Sequence, residues 1–574
     1  MKKVLALVLV LCLALSLSAA AEVTGDTFTG TGAGRNGDVV VEVTFDGAAI
    51  ASVKVTEHQE TAGIADASLA QIPEAIVNAQ SIAVDAVAGA TLTSNAIVEA
   101  VANAITAAGG DPEAYRVQVE SRAPVAGETE HLSCDVVIVG AGGAGMSAAI
   151  EARAKGASVI ILEKMSFVGG NTAICGGLVP GPGTELQAAS GIEDSPEKYV
   201  EDIMTATDGT ADADLVKVAT EEAATLVPWF ESLGAEFLKV VPFAGHSVDR
   251  LHQEKQLSGA GLAKVLKEAA EANGVEILLN TPAYAIMQDE NNVVCGVKAK
   301  RSDGTEVEVA AKEVIITAGG FAGSQEMLAE YIPEMAGVGL CGTNANTGDG
   351  IRMAQAIGAD IAYIDAYCPH ASVNPEKVYL VTWEAFMRGG ILVNGSGERF
   401  VNEPMGYAKC APVVASQENV YCIVDDYIRS VVEKMAGYDD VTVKAANVQE
   451  LAEAIGIDAE ALAATIDAYN QSVETGSDAF GRTRFEKPLT GNLYAINVET
   501  YLLFTMGGIK IDTEARVIDT NGAVIPHLYA AGEGAGTSVT GHGYAGYITG
   551  DGLLSALTFG RIAGRNAGDA VLAK

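Results

Sequence analysis

A glycine-rich turn in the first third of the chain stands between an apolar strand and a helix. The predicted strand at residues 134–139 runs directly into the turn at residues 140–145, whose sequence is Gly-Ala-Gly-Gly-Ala-Gly. A helix is predicted from Met146 to Lys155, and a second strand, Ala157 to Leu162, ends at Glu163. The glycine spacing alone is weak, but together with both strands, the helix and the acid it predicts a dinucleotide-binding βαβ unit.

Each residue type in this turn suits one part of a dinucleotide. Gly140 permits the tight turn, and Gly142 lets a pyrophosphate approach the helix N-terminus, where backbone N–H groups favour an anion. Gly145 allows the helix to pack closely on the strand. Glu163 can accept hydrogen bonds from the adenosine ribose. The chemistry predicted here is binding of a dinucleotide such as FAD.

Further loops of the same kind recur along the chain. They lie at residues 169–172, 317–320, 347–350 and 530–534, and a helix is predicted to begin near Gly552. The loops at 317–320 and 530–534 each follow an apolar strand, so both are predicted to lie at strand ends that contact a nucleotide. The start of the last helix can direct backbone N–H groups at a reduced, anionic flavin ring.

A different phosphate signal lies near the N-terminus. Strands are predicted between Thr27 and Val55, a helix at 66–80, and another helix at about 95–108. The segment 85–94 before that last helix combines small residues with Thr91 and Thr93, so it can approach a phosphate closely. The structural alternative is that these hydroxyls only cap the helix.

Residues 85–91, Asp-Ala-Val-Ala-Gly-Ala-Thr, resemble the motif of the FMN-binding domain family. That family receives FMN through a phosphoester bond to the final threonine. The resemblance implies covalent FMN at Thr91 within a small α+β domain at residues 22–108. It also implies that Asp85 belongs to a signature read by an exported flavin transferase, a partner of this chain.

The loops after residue 130 together resemble the fumarate reductase/succinate dehydrogenase flavoprotein family. The resemblance implies an α/β fold with a Rossmann-type FAD domain at residues 131–364 and 506–574. An α+β capping domain at residues 365–505 is inserted between the two parts. Asn171 stands where an attaching histidine would lie, so the FAD is expected to be non-covalent.

This resemblance also implies a set of residues that contact FAD. They are Gly140, Gly142, Gly143, Ala144, Gly145, Glu163, Lys164, Gly170, Asn171, Thr172, Gly177, Ala283, Ala318, Gly319, Gly320, Asp349, Gly532, Glu533, Ser555 and Leu557.

The substrate site departs from the family pattern. Counting from the segments at 390–403, 505–512 and 559–561, the family's cap histidine falls on His370 and its carboxylate-binding threonine on Thr382. The two arginines that would hold and protonate a dicarboxylate fall on Tyr407 and Tyr547, and a second histidine falls on Phe504. Without those cations, two carboxylates could be buried only at a large cost, so fumarate and urocanate are not expected as substrates.

The family's proton relay is also altered. Its glutamate falls on Trp383 and its arginine on Phe386, although Arg388 could serve after a two-residue slip and Lys409 could be the acid if its loop shifts. Trp383 is expected to form a stacking wall for a flat ligand. Tyr544 competes with Tyr547 as the pocket tyrosine.

Tyrosines can nevertheless do the chemistry. A phenol is a neutral donor that can protonate a carbon while a flavin delivers hydride, or hydrogen-bond a carbonyl oxygen. Ketosteroid dehydrogenases, which share this flavoprotein fold, resemble the arrangement in using tyrosines. Tyr407 is the expected donor, with His370 as an alternative. His246 and His252 are expected in surface or capping roles.

Composition limits the partners and the compartment. There are 74 acidic and 36 basic residues, a net charge of −38, so no nucleic acid partner is expected.

Residues 1–21 have the pattern of an export signal, with Lys2 and Lys3 before an apolar run. Residues 109–130 read as a linker. The cysteines show no CxxC, which excludes attached c-type haem and gives no metal site.

Together these features predict an exported reductase. Electrons from a membrane or extracellular donor would reach FMN on Thr91, pass to FAD, and reduce an activated C=C bond. The expected substrate is a small-molecule alkene that is not a dicarboxylate, such as an enone or a phenolic alkene. The alternatives are a ketosteroid-like dehydrogenase and an electron-transfer flavoprotein without substrate chemistry.

Overall fold

The computed structural model describes residues 27–60, 65–84, 86–87, 90–116, 129–301 and 303–573. The predicted export signal, Asp85, Gly89 and most of the predicted linker lie outside these residues. The described residues form two compact units. One comprises those of Met1–Ala126 with Met165–Val168, and the other those of Gly127–Lys164 with Gly169–Lys574.

The N-terminal unit is a small antiparallel sheet with two helices. Its elements are β1 (Thr27–Ala33), β2 (Asp38–Asp46), β3 (Ala49–Glu57), α1 (Asp66–Ala79) and α2 (Thr91–Ala107). The sheet order is β1-β2-β3.

Alternation along β2 explains why this sheet forms. Val39, Val41, Val43 and Phe45 point to one face and are at most 2% exposed, so they form a core with the helices. Helix α2 begins at Thr91, earlier than the predicted residue 95. Thr91 is therefore the first helical residue rather than part of the preceding loop.

The first part of the large unit carries most of its main sheet. Its strands are β4 (Glu130–Val139), β5 (Val159–Leu162), β6 (Leu178–Pro180), β7 (Phe237–Val241), β8 (Leu251–Glu254), β9 (Glu276–Leu278), β10 (Ala283–Gln288), β11 (Val294–Lys300), β12 (Glu306–Ile316) and β13 (Ile361–Ala362). Its helices are α3 (Gly143–Ala154), α4 (Gly170–Ile174), α5 (Glu185–Ala189), α6 (Pro196–Ala206), α7 (Ala213–Ala223), α8 (Leu226–Ser232), α9 (Gly259–Ala272), α10 (Gln325–Tyr331) and α11 (Asp349–Ala356).

Residues 365–505 add two further sheets. Their strands are β14 (Tyr367–Asn374), β15 (Tyr379–Leu380), β16 (Ile391–Val393), β17 (Tyr421–Asp425), β18 (Thr442–Ala445), β19 (Leu493–Asn497) and β20 (Glu499–Thr505). Their helices are α12 (Glu384–Met387), α13 (Tyr407–Ala415), α14 (Asp426–Val431), α15 (Val448–Ile455) and α16 (Ala459–Thr475). The sheet orders are β15-β14-β20 and β16-β17-β19-β18.

The C-terminal part returns to the main sheet. It contains β21 (Gly508–Ile509), β22 (Arg516–Ile518), β23 (Val524–Ala530) and α17 (Asp551–Leu572). Strand β23 pairs in parallel with β12, which pairs in parallel with β4, and β4 with β5 and β5 with β9. The apolar runs of these strands suit a parallel sheet that is buried on both faces.

Because β4, β5, β12 and β23 are parallel, their carboxyl ends lie at one edge of the sheet. The loops after them are those predicted to bind a dinucleotide, which is where open α/β sheets bind ligands. No helix among the described residues is long and apolar enough to cross a membrane.

Candidate functional site

The turn between β4 and α3 has the geometry of a phosphate cradle. Gly140 has φ 102°, and a Cβ there would lie 2.5 Å from the Thr317 carbonyl oxygen. A Cβ on Gly145 would lie 1.9 Å from the Gly140 carbonyl oxygen, so only glycine lets the helix pack this closely. A Cβ on Gly142 would meet nothing within 4 Å, which leaves space in front of the helix N-terminus. Helix α3 begins at Gly143 rather than the predicted Met146.

Glu163 lies beside this cradle. It follows β5, is 8% exposed, and its Oε2 accepts a hydrogen bond from the Ala141 N–H at 2.7 Å. The carboxylate therefore lies beside the glycine turn, where a ribose would approach it. Next to it, Lys164 contacts Asp349 at 2.7 Å and Thr347 at 2.9 Å.

Glu533 joins two other predicted loops. Its carboxylate accepts hydrogen bonds from Asn171 Nδ2 at 2.8 Å and from Asn346 Nδ2 at 2.9 Å. Burial raises the pKa of Glu533 to about 7, although the hydrogen bonds from these two amides lower that pKa. Because its pKa is near 7, the Glu533 carboxyl can either donate a hydrogen bond to a flavin ribityl chain or accept one from it.

Close glycine contacts bring the remaining loops together. A Cβ on Gly532 would lie 3.1 Å from the Ala144 Cβ, and one on Gly320 would lie 2.1 Å from Thr505 Oγ1. Ser555, in α17, is fully buried and its hydroxyl lies 2.9 Å from that of Thr537.

The other predicted FAD residues are distributed as follows. Gly170 and Thr172 lie in α4, Gly177 packs on Ser258, Ala283 begins β10, Ala318 and Gly319 follow β12, and Leu557 is buried in α17.

These groups fit FAD. The space at Gly142 would accommodate a pyrophosphate at a helix N-terminus, and the Glu163 carboxylate would accept hydrogen bonds from a ribose. FAD bound here supplies hydride chemistry that no side chain can supply.

An aromatic cluster in the large unit is formed by His370, Trp383, Tyr407, Phe504 and Tyr547, and a Cβ on Gly552, at the start of α17, would lie 3.0 Å from the Phe504 ring. The rings of His370 and Tyr407 stack with centroids 4.2 Å apart. Tyr407 also contacts Trp383 at 5.9 Å and Tyr547 at 5.7 Å, and Phe504 contacts Tyr547 at 5.9 Å. The structure thus brings together five of the seven residues predicted to form the catalytic group and pocket.

His370 is neutral in this cluster. Burial lowers its pKa to about 3. Its Nδ1 accepts a hydrogen bond from the Ser372 N–H at 3.2 Å, while the Ser372 hydroxyl donates to the Val381 carbonyl at 2.9 Å. The ring proton is therefore assigned to Nε2, which makes His370 a neutral hydrogen-bond donor rather than an acid.

The two tyrosine hydroxyls interact with each other. Burial raises the pKa of both Tyr407 and Tyr547 well above the ordinary value, so both are neutral phenols. Interactions with the Thr549 and Tyr547 hydroxyls partly offset that rise in the pKa of Tyr407. Such donors stabilise the phenolate that Tyr407 becomes when it releases a proton.

A buried ionic group positions Tyr407. Gly406, with φ 104°, turns the chain into α13 so that Tyr407 is its first residue. Before this turn, the Glu403 carboxylate is fully buried and contacts Arg399 at 2.7 Å and Arg482 at 3.2 Å. The Trp383 Nε1–H donates to the Glu403 carbonyl at 3.2 Å, which ties the cluster to this turn.

Two predicted pocket residues have different neighbours. Tyr544 packs against Tyr367 with ring centroids 5.5 Å apart. Thr382 is 8% exposed, and its backbone N–H donates to the Tyr438 hydroxyl at 3.2 Å. The alternative Arg388 is paired with Glu486 at 2.9 Å.

The surface position that was one expectation for His252 is wrong, although its ring contacts Thr184, the N-cap residue of α5. His252 lies in β8, is fully buried, and its Nε2 is 2.7 Å from the Thr184 hydroxyl. His246 is half-buried and its Nε2 donates to the Thr549 carbonyl at 2.7 Å. The sequence around His252 has mixed polarity, so it gives no sign that this segment is a strand buried by its pairing with other strands.

Sequence reasoning missed Asp551 and Thr549. Asp551 is fully buried at the start of α17, its Oδ2 accepts from the Ile548 N–H at 3.0 Å, and burial raises its pKa well above the ordinary value. Both residues follow Tyr547 closely, so their position next to a predicted pocket tyrosine was the available signal.

In the N-terminal unit, one hydroxyl of the threonine motif faces solvent. Thr91 is exposed at the N-terminus of α2, whereas Thr93 is 4% exposed and donates to Glu60. Ser94 is buried too, and its hydroxyl accepts from the Val87 N–H at 3.0 Å. The exposed Thr91 hydroxyl at a helix N-terminus suits a phosphate.

Comparison with known families identifies two flavin-binding domains in the chain. Residues 135–547 match the FAD binding domain family, and residues 34–106 match the FMN-binding domain family. The chain therefore belongs to this FAD-binding flavoprotein family and carries an FMN-binding domain ahead of it.

Relatives within this class are reductases. Urocanate reductase of Eggerthella lenta is 33% identical, covering 94% of this chain and 92% of its own. A cytochrome-type fumarate reductase of Shewanella frigidimarina is 36% identical, covering 76% and 77%. Vinyl phenol reductase of Lactiplantibacillus plantarum is 28% identical, covering 76% and 97%.

Solved structures give the same class. The open conformation of a flavocytochrome c3 fumarate reductase aligns with a TM-score of 0.67 and 32% identity, covering 80% of this chain and 84% of that one. A 3-ketosteroid dehydrogenase from Rhodococcus jostii aligns with a TM-score of 0.61 and 28% identity, covering 79% and 100%. The protein is an FAD- and FMN-dependent oxidoreductase that acts on CH–CH bonds, as predicted.

Proposed function

We propose that this enzyme reduces the activated C=C bond of a small, flat alkene that is not a dicarboxylate, such as an enone or a phenolic alkene. The observation that carries the proposal is the aromatic cluster. Every ring that contacts Tyr407 belongs to an uncharged residue, because His370 is neutral and the others are aromatic. Buried carboxylates would lack the cations that offset their desolvation.

The cluster suits a substrate with a neutral oxygen. Tyr547 and the Nε2–H of His370 can donate hydrogen bonds to a carbonyl or phenol oxygen, and Trp383 and Phe504 can flank a flat ring. Tyr407 is the proposed proton donor to the carbon opposite the hydride. Its stabilising hydroxyl partners, Tyr547 and Thr549, support this role.

The electron path is proposed from the two cofactor sites. FMN, attached through a phosphoester to Thr91 in a domain at residues 22–108, would receive electrons from a membrane or extracellular donor. They would pass to FAD, which is held by residues 131–364 and 506–574. Residues 365–505 would act as the cap. Export through the signal at residues 1–21 and attachment by a flavin transferase complete the proposal.

A second candidate is a ketosteroid-like dehydrogenase. It is favoured by the alignment with the whole length of a 3-ketosteroid dehydrogenase and by a pocket that uses tyrosines. An FMN domain argues for reduction, because a dedicated electron carrier suits a one-way electron supply. Turnover with a reduced viologen, compared with turnover using an artificial electron acceptor, separates the two directions.

A substrate panel tests the reduction. The purified protein, reduced by viologen without oxygen, is offered fumarate, urocanate, an enone and a 4-hydroxystyrene at equal concentrations. The proposal expects kcat/KM for the enone or phenolic alkene to exceed that for fumarate by at least about 100-fold, about 3 kcal/mol. Fumarate turnover that equals the best neutral alkene would overturn the substrate assignment.

Mass spectrometry tests the FMN site. Coexpression with a flavin transferase should add FMN, less one water, to the peptide that contains Thr91. Thr91→Ala should remove that mass, whereas Thr93→Ser, which keeps the hydroxyl bound to Glu60, should retain it. Flavin that remains on the same peptide of Thr91→Ala would place the attachment elsewhere.

A further inference from the structure

Tyr407 can act repeatedly only if solvent replaces its proton, although it is 7% exposed. The side of the cluster toward residues 383–403 is packed with buried side chains. Trp383 and Phe386 are at most 1% exposed, and they occupy the places where a glutamate and an arginine relay was expected. The nearby Glu403 carboxylate is fully buried and is held by Arg399 and Arg482.

A narrow crevice reaches Tyr407 from the other side. Its lining includes Ala244, Gly245, Met405, Tyr407, Tyr547 and Thr549. Gly245 and Met405 are exposed, whereas Tyr407 and Tyr547 are buried, so the crevice runs from the surface to the tyrosine pair.

The crevice is large enough for a water molecule. Its volume is about 20 Å³, and one buried water needs roughly 10–15 Å³ of such space together with polar partners. Tyr407 and Thr549, which both carry hydroxyls, line it and offer such partners.

Thr549 is held in place in this crevice. It is 9% exposed, and its carbonyl accepts a hydrogen bond from His246 Nε2 at 2.7 Å. Thr549 and Tyr407 line the same crevice, and the Thr549 hydroxyl acts to lower the pKa of Tyr407. A hydroxyl can accept one proton while it donates another, which is what a relay requires.

We infer that solvent reprotonates Tyr407 through this crevice, by way of a water molecule and the Thr549 hydroxyl. This inference rests on the proposed role of Tyr407 as proton donor. The Tyr407 O–H bond breaks as the substrate C–H bond forms. The phenolate then takes the Thr549 hydroxyl proton, Thr549 takes one from the crevice water, and solvent restores the water. No electrons move in this transfer.

Thr549→Val removes the hydroxyl and keeps the shape of the side chain. In anaerobic stopped flow, the rate at which substrate reoxidises the reduced protein over repeated turnovers should fall at least about tenfold. The solvent deuterium isotope effect should rise, and Thr549→Ser should restore both values. Thr220→Val is the matched control, since the buried Thr220 hydroxyl bonds only to Lys217 of its own helix.

Two binding measurements separate a relay from a structural role. The Kd of the reaction product for the oxidised protein, read from flavin absorbance, should stay within about twofold of wild type in Thr549→Val. The flavin content should be unchanged. A slow Thr549→Val protein that also binds product weakly would overturn the relay, because the defect would then be in positioning.

Ala244→Val tests the crevice without changing any hydroxyl. It should narrow the water path and slow repeated turnover, with the first turnover nearly unaffected. If Thr549→Val and Ala244→Val both turn over at the wild-type rate while Tyr407→Phe is inactive, the proposed route through the crevice is wrong. Tyr407 would then remain the proposed proton donor. If Tyr407→Phe is fully active, the donor itself is wrong.

Discussion

The glycine turn after β4 and the aromatic cluster around Tyr407 differ in which atoms form them. The turn is built from backbone atoms, and the cluster is built from side chains. The turn works through backbone N–H groups and the absence of side chains, since a Cβ on Gly145 would lie 1.9 Å from a carbonyl oxygen. The cluster works through large side chains whose hydroxyl and imidazole groups are buried. A backbone site tolerates no added atom, whereas a side-chain site can change its chemistry while the fold is kept.

The largest expected effect comes from the turn. Gly145→Val should abolish FAD binding, because the added atoms would push α3 away from β4 and remove the phosphate cradle. Flavin absorbance after gel filtration measures the loss. Gly437→Ala is the control, since a Cβ there meets nothing within 4 Å. Normal FAD content in Gly145→Val would show that the turn does not hold the dinucleotide.

In the cluster, a comparable change should spare the cofactor. Tyr407→Phe should retain FAD but lower kcat by about 10²–10⁴-fold, the usual contribution of a general acid. Steady-state turnover with the best alkene measures this fall. Tyr421→Phe, in β17, should keep full activity. Full activity of Tyr407→Phe would remove the contrast between the two regions.

An intermediate effect is expected at Glu533, which lies between predicted FAD loops. Its folded pKa of about 7 exceeds the ordinary 4.5, so the stability it contributes is present below pH 4.5 and is lost as pH rises through 7. In flavin-free protein, Glu533→Gln should therefore be more stable than wild type at pH 8, by up to about 3 kcal/mol, with little difference at pH 4. Urea unfolding at both pH values checks the sign, and equal stability at pH 8 would contradict it.

The smallest effect is expected for the second tyrosine. Tyr547→Phe removes the hydroxyl that acts on the pKa of Tyr407 and one proposed bond to substrate, so kcat/KM should fall about tenfold, near 1.4 kcal/mol. FAD content should not change. A fall as large as that of Tyr407→Phe would instead make Tyr547 the proton donor.

The glycine turn was easier to predict from the sequence than the aromatic cluster, because its residues are neighbours along the chain. The glycine turn was predicted with its strand and acid, and only the helix start was misplaced, at Met146 instead of Gly143. Helices commonly begin within the glycine turn, where hydrophobic periodicity gives no signal. In the N-terminal unit the same shift placed Thr91 inside α2.

The cluster was harder to predict because it depends on packing. The identities of Tyr407 and Tyr547 were available, but which pocket tyrosine faces Tyr407 was not. The structure pairs Tyr544 with Tyr367 and brings Tyr547 to Tyr407. His252 was misjudged for the same reason, since its burial follows from the pairing of β8 with β6 and β7.

The sequence by itself determined the two cofactor classes, because glycine spacing and the threonine motif act over a few neighbouring residues. It also determined that tyrosines replace the expected arginines. Only the tertiary structure decided that His370 is neutral, that Thr549 faces Tyr407, and that a crevice reaches them. The physical reason is that burial and hydrogen bonding between distant segments set protonation and access, and neither is encoded in local spacing.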